Sequence, residues 1–498
     1  MQKTVLAGFD IGTSKLRCII FNKNGSIIKS FDEKTPLIKK KDGYYNPVNN
    51  LYKLSLKVLK KTFDFANKNK LIVKGISISS VGEAGVIIDK KNKPLMDIIP
   101  WYDQRTSETK EKYLKKNISN IIYNNTGLND DHFYSVYKIL WIKKNYPKIY
   151  SKIFKWLPVN DYIAMKLTGN ISTDYSQAMR TNLFDLKKLK WSNKMIKLFQ
   201  IKPNILPEII NAGEKKGFIN SQIKKYLSLN YDCVIGSGGH DHFVGVYGLG
   251  GFKNNTLVDS LGSAEAVTVS TNSIIKNKEL KNSKFISGIF KTKHKVYNYL
   301  VGSILTSGLI INWFISNFNI KNYSELNKLL KKTGDKKILF FPQFEYSHTP
   351  INSKKSKGFI TGIDRTTTKG DIYKSILEGL SFDTKHILNF LEIKTKIKIS
   401  KIICSGGSVK NKEWIKIKSN ILNKDIFIDE RIENVSLGSA ILAGLASGVY
   451  KNESDAFKNI KSSLLVIKKN NVRARYYKNV YKKYINSIKE LNKINQIL

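Results

Sequence analysis

Apolar residues open the chain in two runs divided by a glycine turn: residues 3–22 (KTVLAGFDIGTSKLRCIIFN) read as strand, tight turn, strand. Asn24-Gly25 supplies a hairpin turn before a further apolar stretch at 26–31, so the pattern predicts a β-meander opening a domain. The same plan returns at 257–270 (LVDSLGSAEAVTVS). Aligned on the turns, Gly12-Thr13 matches Gly262-Ser263, and Ser260 stands where the first copy has Asp10. Two related lobes follow, each opening on a phosphate-sized hairpin. Helical periodicity marks 51–67 and 139–146, the latter stopped by Pro147, and then 371–392 and 412–423. Strands alternating with helices predict an α/β class. From about residue 450 the chain becomes Lys-rich and amphipathic, which predicts a terminal helix lying on the second lobe with its lysines in solvent.

A chain of 498 residues is too long for one ordinary core. The expected organisation is a lobe over 1–250, a second over 251–450 and a helical extension over 451–498. Lys+Arg of 85 against Asp+Glu of 39 leaves a net charge of +46, yet 41% hydrophobic and 11% aromatic residues argue for a folded chain. Only 7 of the 85 basic residues are arginine, the residue that base readout and bidentate phosphate contacts favour, so no specific nucleic-acid partner is expected. No apolar run approaches the ~18 residues of a membrane span, and no cleavable apolar leader precedes the first glycine motif. Cys18, Cys233 and Cys404 lie far apart without metal or disulfide spacing. A protein of the reducing cytoplasm is expected, with no membrane partner.

Among nucleotide-binding motifs, GxxxxGK[ST] is excluded because Gly-Lys never occurs, Gly236-Ser237-Gly238-Gly239 does not complete G-x-G-x-x-G, and HExxH is absent. Asp10-Ile11-Gly12-Thr13-Ser14, directly after a strand, offers backbone N–H groups, two hydroxyls and a carboxylate able to hold the water shell of Mg2+. Short strings of this kind also arise as plain hairpin turns.

Longer motifs decide between these readings. Phe133-x-Ser135-x-x-Lys138-Ile139-x-Trp141, and Gly358-x-Ile360-x-Gly362-Ile363 followed by Asp371-Ile372-x-x-Ser375-Ile376-Leu377-Glu378, resemble the two signatures of the FGGY family of carbohydrate kinases, within the actin-like ATPase superfamily. PWYDQR at 100–105, GGHDH at 238–242, LGSAE at 261–265, TSGLIINW at 306–313 and SGGSVKNKEW at 405–414 fall in the family's order, so the resemblance spans about residues 4 to 449. It implies two ribonuclease-H-like lobes flanking a catalytic cleft, sugar on the N-terminal side and ATP mainly on the C-terminal side. It further implies ATP-dependent phosphorylation of a sugar hydroxyl, with ATP and Mg2+ required and Asp10 serving the metal. A homodimer is compatible with it.

The resemblance assigns residues one by one. Asp241, in a glycine-rich apolar segment, matches the catalytic base, although a lone Asp after Gly-Gly would otherwise read as a helix cap. Asp103 faces the sugar as a hydroxyl acceptor, where a lone D-x-R would read as an ion pair with Arg105. Trp101 packs on the sugar's apolar face or in the core. Phe133 stands where relatives that bind small polyols carry an aromatic residue. Gly12, Thr13, Ser14, Gly262, Ser263, Gly308, Asn312, Gly407 and Asn411 match positions that hold ATP, while turns and caps are the plainer account of any one of them.

The substrate is the least determined part. Val81-Gly82-Glu83-Ala84 stands where xylulokinase-like members have Met-His and glycerol kinases Arg-Glu. Glu83 is read as an acceptor for sugar hydroxyls that disfavours a sugar acid, or else as a strand-end residue in solvent. His240 and His242 flank the base, and His242 is taken as a sugar contact. A neutral ketose or polyol is expected, near the xylulokinase and fuculokinase branches. The alternatives are a glycerol or sugar-acid kinase of the same family, or a non-catalytic actin-like sensor.

Overall fold

The computed structural model describes residues 3–113, 118–344, 349–351, 356–431, 433–461 and 463–497. Strands used below are β1 (Lys3–Ile11), β2 (Lys15–Phe21), β3 (Ile27–Lys34), β4 (Leu71–Ser80), β5 (Lys215–Phe218), β6 (Val234–His240), β7 (Thr256–Leu261), β8 (Glu265–Thr271), β9 (Ile286–Lys291), β10 (Val296–Ile304), β11 (Lys401–Ser405), β12 (Ile426–Asp429) and β13 (Leu464–Ile467). The helices are α1 (Val48–Lys68), α2 (Ser135–Asn145), α3 (Tyr175–Met179), α4 (Asp241–Gly248), α5 (Gly308–Asn317), α6 (Lys369–Thr395), α7 (Lys412–Leu422), α8 (Asn434–Ala446) and α9 (Asn471–Ile497).

Two compact units divide the chain. The first comprises Met1–Gly250, Gly288–Asn298 and Glu433–Lys461; the second comprises Gly251–Ser287, Tyr299–Ile432 and Ser462–Leu498. Residues 433–461 thus return to the first unit, and α9 belongs to the second.

In unit 1 a six-stranded sheet runs β5-β6-β4-β1-β2-β3. The predicted meander forms its antiparallel side, while β1, β4 and β6 are mutually parallel. β1 buries Val5, Leu6, Ala7, Phe9 and Ile11, as a strand covered on both faces must, whereas β3 at the edge is largely charged and exposed. The return of α8 depends on small residues. A Cβ on Gly8 would lie 1.8 Å from the Ser436 carbonyl oxygen, and one on Gly438 would lie 2.0 Å from that of Val244. Only glycine lets this helix seat directly on the sheet and on α4.

A seven-stranded sheet, β9-β10-β8-β7-β11-β12-β13, repeats the plan; all of it but residues 288–298 of its β9–β10 hairpin belongs to unit 2. Here β7 pairs antiparallel with β8 and parallel with β11, as β1 pairs with β2 and β4. Trp414, Tyr373, Leu377 and Ile415 lie in its core. α6 starts on a capping box, Thr368 with Asp371, the sharpest helix start the sequence offers. α9 turns Tyr477 and Tyr484 inward, where their hydroxyls donate to Glu378 (2.8 Å) and Asp383 (2.9 Å) of α6. Among the described residues, no helix is long and apolar enough to cross a membrane.

Candidate active site

Parallel strands deliver their C-terminal ends to one edge of a sheet, where ligands of α/β folds bind. In unit 1 the register places Asp10 beside Ser79 and His240 beside Ser80, so β1, β4 and β6 present Asp10, the 81–83 turn and His240-Asp241 side by side. Asp241 is the first residue of α4; its Oδ1 accepts the His242 N–H (2.6 Å), and His240 Nδ1 lies 3.3 Å away. Burial drives the Asp241 carboxyl well above its ordinary range and the charge of Asp10 adds to this, with Arg180 opposing. Asp10 accepts from Ser79 Oγ (3.1 Å) and is itself pushed up to about 7, mainly by burial. Two carboxylates thus disfavour each other's charge in one corner, the condition a hydrated cation relieves. No cluster of three or more His, Cys, Asp or Glu that could hold a metal occurs among the described residues.

Glu83 sits between strands at φ 61°, buried, with its carbonyl accepting Ser135 Oγ (3.1 Å). Its carboxylate is ion-paired with Arg180, a residue the sequence reading did not assign. Arg180 follows α3, whose cap is Asp174 and whose Gln177 amide reaches the Ser80 carbonyl (3.3 Å) and Asn160 Oδ1 (3.1 Å). Burial and the Arg180 charge depress both imidazoles, His240 strongly and His242 to about 4, so both are neutral near pH 7.

Trp101 is 40% exposed and donates from Nε1 to Thr13 Oγ1 (3.0 Å). This bond ties PWYDQR to the first glycine turn, and both line one pocket with Val81, Ala84 and Pro100. Gly12 donates to the Lys15 carbonyl within its turn (2.9 Å), while Thr13 and Ser14 are exposed. Asp103 is buried and already accepts four bonds, from Arg105 N, Nε and Nη2 and from Tyr44 N (2.8–3.0 Å). Burial alone would raise its pKa; the Arg105 and Tyr44 bonds hold it below the carboxylate range. Asp103 therefore shapes the segment carrying Trp101, and the ion pair with Arg105 is formed. Phe133 is half-buried against Tyr134 (ring centroids 4.6 Å), and its carbonyl accepts Lys138 Nζ (2.6 Å).

In unit 2 the 261–265 hairpin is clasped to the start of α5. Gly262 O accepts Gly308 N (3.1 Å), and Ser263 O accepts Ser307 N (3.0 Å) and Leu309 N (3.2 Å). A Cβ on Gly308 would lie 2.6 Å from the Gly262 carbonyl oxygen, so the clasp requires glycine there. Gly262 and Ser263 stay exposed at the hairpin tip, and α5 turns Leu309, Asn312 and Trp313 outward. Gly407 has open space where its Cβ would be; Gly406, at φ 93°, is crowded by the Leu261 carbonyl oxygen at 2.5 Å. Asn411 is buried as the cap of α7: Oδ1 accepts Trp414 N (3.1 Å) and Nδ2 donates to the Tyr373 hydroxyl (2.9 Å). Its side chain thus fixes the loop carrying Gly407.

Beneath this hairpin, Lys418 is fully buried between Asp259 (2.5 Å) and Glu265 (2.7 Å), and Glu265 also accepts Thr384 Oγ1 (2.6 Å) and Ser307 Oγ (3.2 Å). The cluster ties β7, β8, α5, α6 and α7 to the hairpin base. Sequence reasoning missed it, since one lysine among so many carries no signal.

Comparison with known proteins matches this arrangement along the chain. The N-terminal domain of the FGGY family of carbohydrate kinases matches residues 5–248, and the family's C-terminal domain matches 260–447. A xylulose kinase from Staphylococcus xylosus is 26% identical over 485 residues, covering 95% of this chain and 98% of the relative. A glycerol kinase from Thermococcus gammatolerans is 26% identical over 454 residues, 90% of each chain. The crystal structure of a gluconate kinase from Lactobacillus acidophilus shares the fold, with a TM-score of 0.88 at 20% identity over 98% of both chains.

Proposed function

Because the chain belongs to the FGGY family of carbohydrate kinases, we propose that it moves the γ-phosphoryl group of ATP to a hydroxyl of an uncharged ketose or polyol, with Asp241 as the base. Phosphoryl transfer leaves a protein chiefly to position the nucleophile, take its proton and neutralise phosphate charge. Asp241 meets the second demand: it is half-buried at the strand ends, 26% exposed at its side chain, and its raised pKa suits a proton acceptor working near neutrality. That carboxylate, next to Asp10, is the observation that carries the reading. The substrate hydroxyl would lose its proton to Asp241 as its oxygen attacks the γ-phosphorus and the bond to ADP breaks.

The other residues take supporting parts. Neutral His242 and the exposed face of Trp101 bound the sugar, and Phe133 closes its apolar side. On the nucleotide side of unit 2, the Gly262-Ser263 tip, Gly308, Asn312 and the open space over Gly407 would receive ATP, with Asn411 holding the last in place; by itself, the Gly12-Thr13-Ser14 turn of unit 1 offers N–H and hydroxyl donors suited to phosphate. Asp10 would hold Mg2+ through its water shell, and the ion supplies charge neutralisation for the phosphates. Three buried free cysteines suit the cytoplasm.

A coupled ADP-release assay of the purified protein against pentuloses, hexuloses, polyols, aldonates and uronates tests the proposal. A neutral ketose or polyol should give the highest kcat/KM. An aldonate or uronate as best substrate would overturn the substrate class, and silence across a wide panel would overturn the activity.

A further inference from the structure

Lys418 has no exposed side-chain surface, and neither have the two acids that hold it, Asp259 at 2.5 Å and Glu265 at 2.7 Å from its Nζ. Burial would strip its proton, but the two acids more than restore it. A buried ion cluster loses in desolvation about what it gains in attraction, so packing alone would be served as well by apolar residues. The elements its bonds reach give another reason for it. Glu265 Oε1 also accepts Thr384 Oγ1 of α6 (2.6 Å), and Oε2 accepts Ser307 Oγ (3.2 Å). Ser307 stands at the N-cap of α5, where a serine hydroxyl ordinarily accepts from the helix; here it makes no cap bond and donates to Glu265 instead. Asp259 Oδ2 in turn accepts Cys404 Sγ of β11 (3.7 Å), directly before the 405–411 loop.

One helix joins the two elements that would receive ATP. At the start of α7, Asn411 fixes the loop carrying Gly407. Two turns further on, about 10 Å along the axis, Lys418 enters beneath the 261–265 hairpin. Trp414 lies between them on the same face of the helix, with Nε1 donating to Ser381 Oγ of α6 (3.1 Å) and its ring centroid 5.5 Å from Lys418 Nζ. We propose that Lys418 is a positioning residue for the nucleotide: through Glu265 and Asp259 it fixes the spacing between the 261–265 hairpin and the 405–411 loop, and so sets the affinity for ATP without touching it. This rests on the reading above, in which those two elements of unit 2 receive ATP. A site is only as exact as the side chains that support it, and a displacement of about 1 Å between two halves of a binding site is costly. Direct contact is excluded because Lys418 lies wholly inside the core.

The test is calorimetry of the full-length protein with a nonhydrolysable ATP analogue and, separately, with its best neutral sugar substrate, beside a thermal melt of each variant. Lys418→Met by itself would strand two acids in the core, so it is combined with Asp259→Asn and Glu265→Gln, which leaves no charge buried alone. This triple variant should melt cooperatively yet bind the analogue about tenfold or more weakly, with sugar affinity within about twofold of wild type. In steady-state kinetics the loss should fall on KM for ATP and leave kcat at saturating ATP near wild type. Should the triple variant fail to fold, Ser307→Ala, which cuts only the Glu265 bond to the start of α5, decides the matter: it should weaken the analogue about threefold or more and spare the sugar. A folded variant that binds the analogue as wild type does, or that loses both ligands equally, overturns the positioning role. If wild type binds the analogue and the folded variants bind it equally, that role alone fails. If wild type binds no analogue, the nucleotide reading fails and the positioning role falls with it.

Discussion

Asp241 and Asp10 press like charges into one buried corner, and two outcomes follow from that crowding. Asp241→Asn should cut kcat by on the order of 10²-fold or more while ATP binding, read by calorimetry, persists. Activity within a few-fold of wild type would remove Asp241 from the role. The base must be ionised to work, so kcat/KM should fall as pH drops through a value above the ordinary carboxylate range. The groups facing it are Asp10, Glu83, Arg180, His240 and His242. Arg180 is the cation holding its pKa down, so Arg180→Met should move the acid limb to higher pH. Asp10 adds a stability term with a definite sign. Its folded pKa of about 7 exceeds the ordinary 3.8, so its contribution is fully present below the lower value and lost as pH rises through the higher. Ligand-free Asp10→Asn should therefore gain melting temperature over wild type at pH 8, by roughly 2 °C or more, and little at pH 4. A gain equal at both pH values would count against the buried-charge account. The sequence motifs exposed both carboxylates because each sits inside an ordered string of family residues. Arg180 was hidden because its partner lies far along the chain, yet a signal existed. In a chain so poor in arginine, Arg17, Arg105, Arg180, Arg431 and Arg473 each meet a carboxylate, which marks arginine here as the residue kept for a planar fork.

Elements form where local chemistry and packing agree. The meander, the second hairpin and α6 were legible because turn glycines, alternating apolar runs and the Thr368-Asp371 box all act locally. α2 starts four residues before its apolar periodicity, at Ser135, because that hydroxyl serves the Glu83 carbonyl and Lys138 serves that of Phe133, so polar residues fill its buried first turn. The neighbouring glycines of the 405–411 loop give the sharpest test at this scale. Gly407 has open space around its missing Cβ, so Gly407→Val should leave the melting temperature near wild type while weakening ATP about tenfold or more, with the sugar unaffected. Gly406 needs positive φ and faces the Leu261 carbonyl, so Gly406→Val should destabilise the fold whether or not ligand is present. Calorimetry with each ligand and a thermal melt of both variants separate the two. Equal loss of ATP and sugar binding in Gly407→Val would show that the open space serves packing instead.

Across the whole molecule, the order of residues in the chain and their grouping in space part company at α8. The net charge of +46 says nothing of this, since it is spread over lysines that lie mostly at the surface. A sequence reading places residues 434–446 in the second lobe because they follow it. Packing assigns them to the first because Gly8, Gly245, Gly248 and Gly438 remove the side chains that would hold helix and sheet apart. Such a contact is nonlocal, and nothing in the periodicity of NVSLGSAILAGLA reveals its partner. It carries a test of what makes unit 1 a folding unit. Without α8, residues 1–250 would expose the apolar face over β1, β4 and β6 that Leu437, Ala440, Ile441 and Leu442 belong to, a loss of several kcal/mol at about 25 cal/mol per Å². The 1–250 fragment alone should therefore lack a cooperative urea transition and aggregate. The same fragment with 433–461 joined by a flexible Gly/Ser linker should regain the transition and near-ultraviolet circular dichroism. A 1–250 fragment that unfolds cooperatively by itself would mean that the sheet closes its own core and that α8 is an accessory to it.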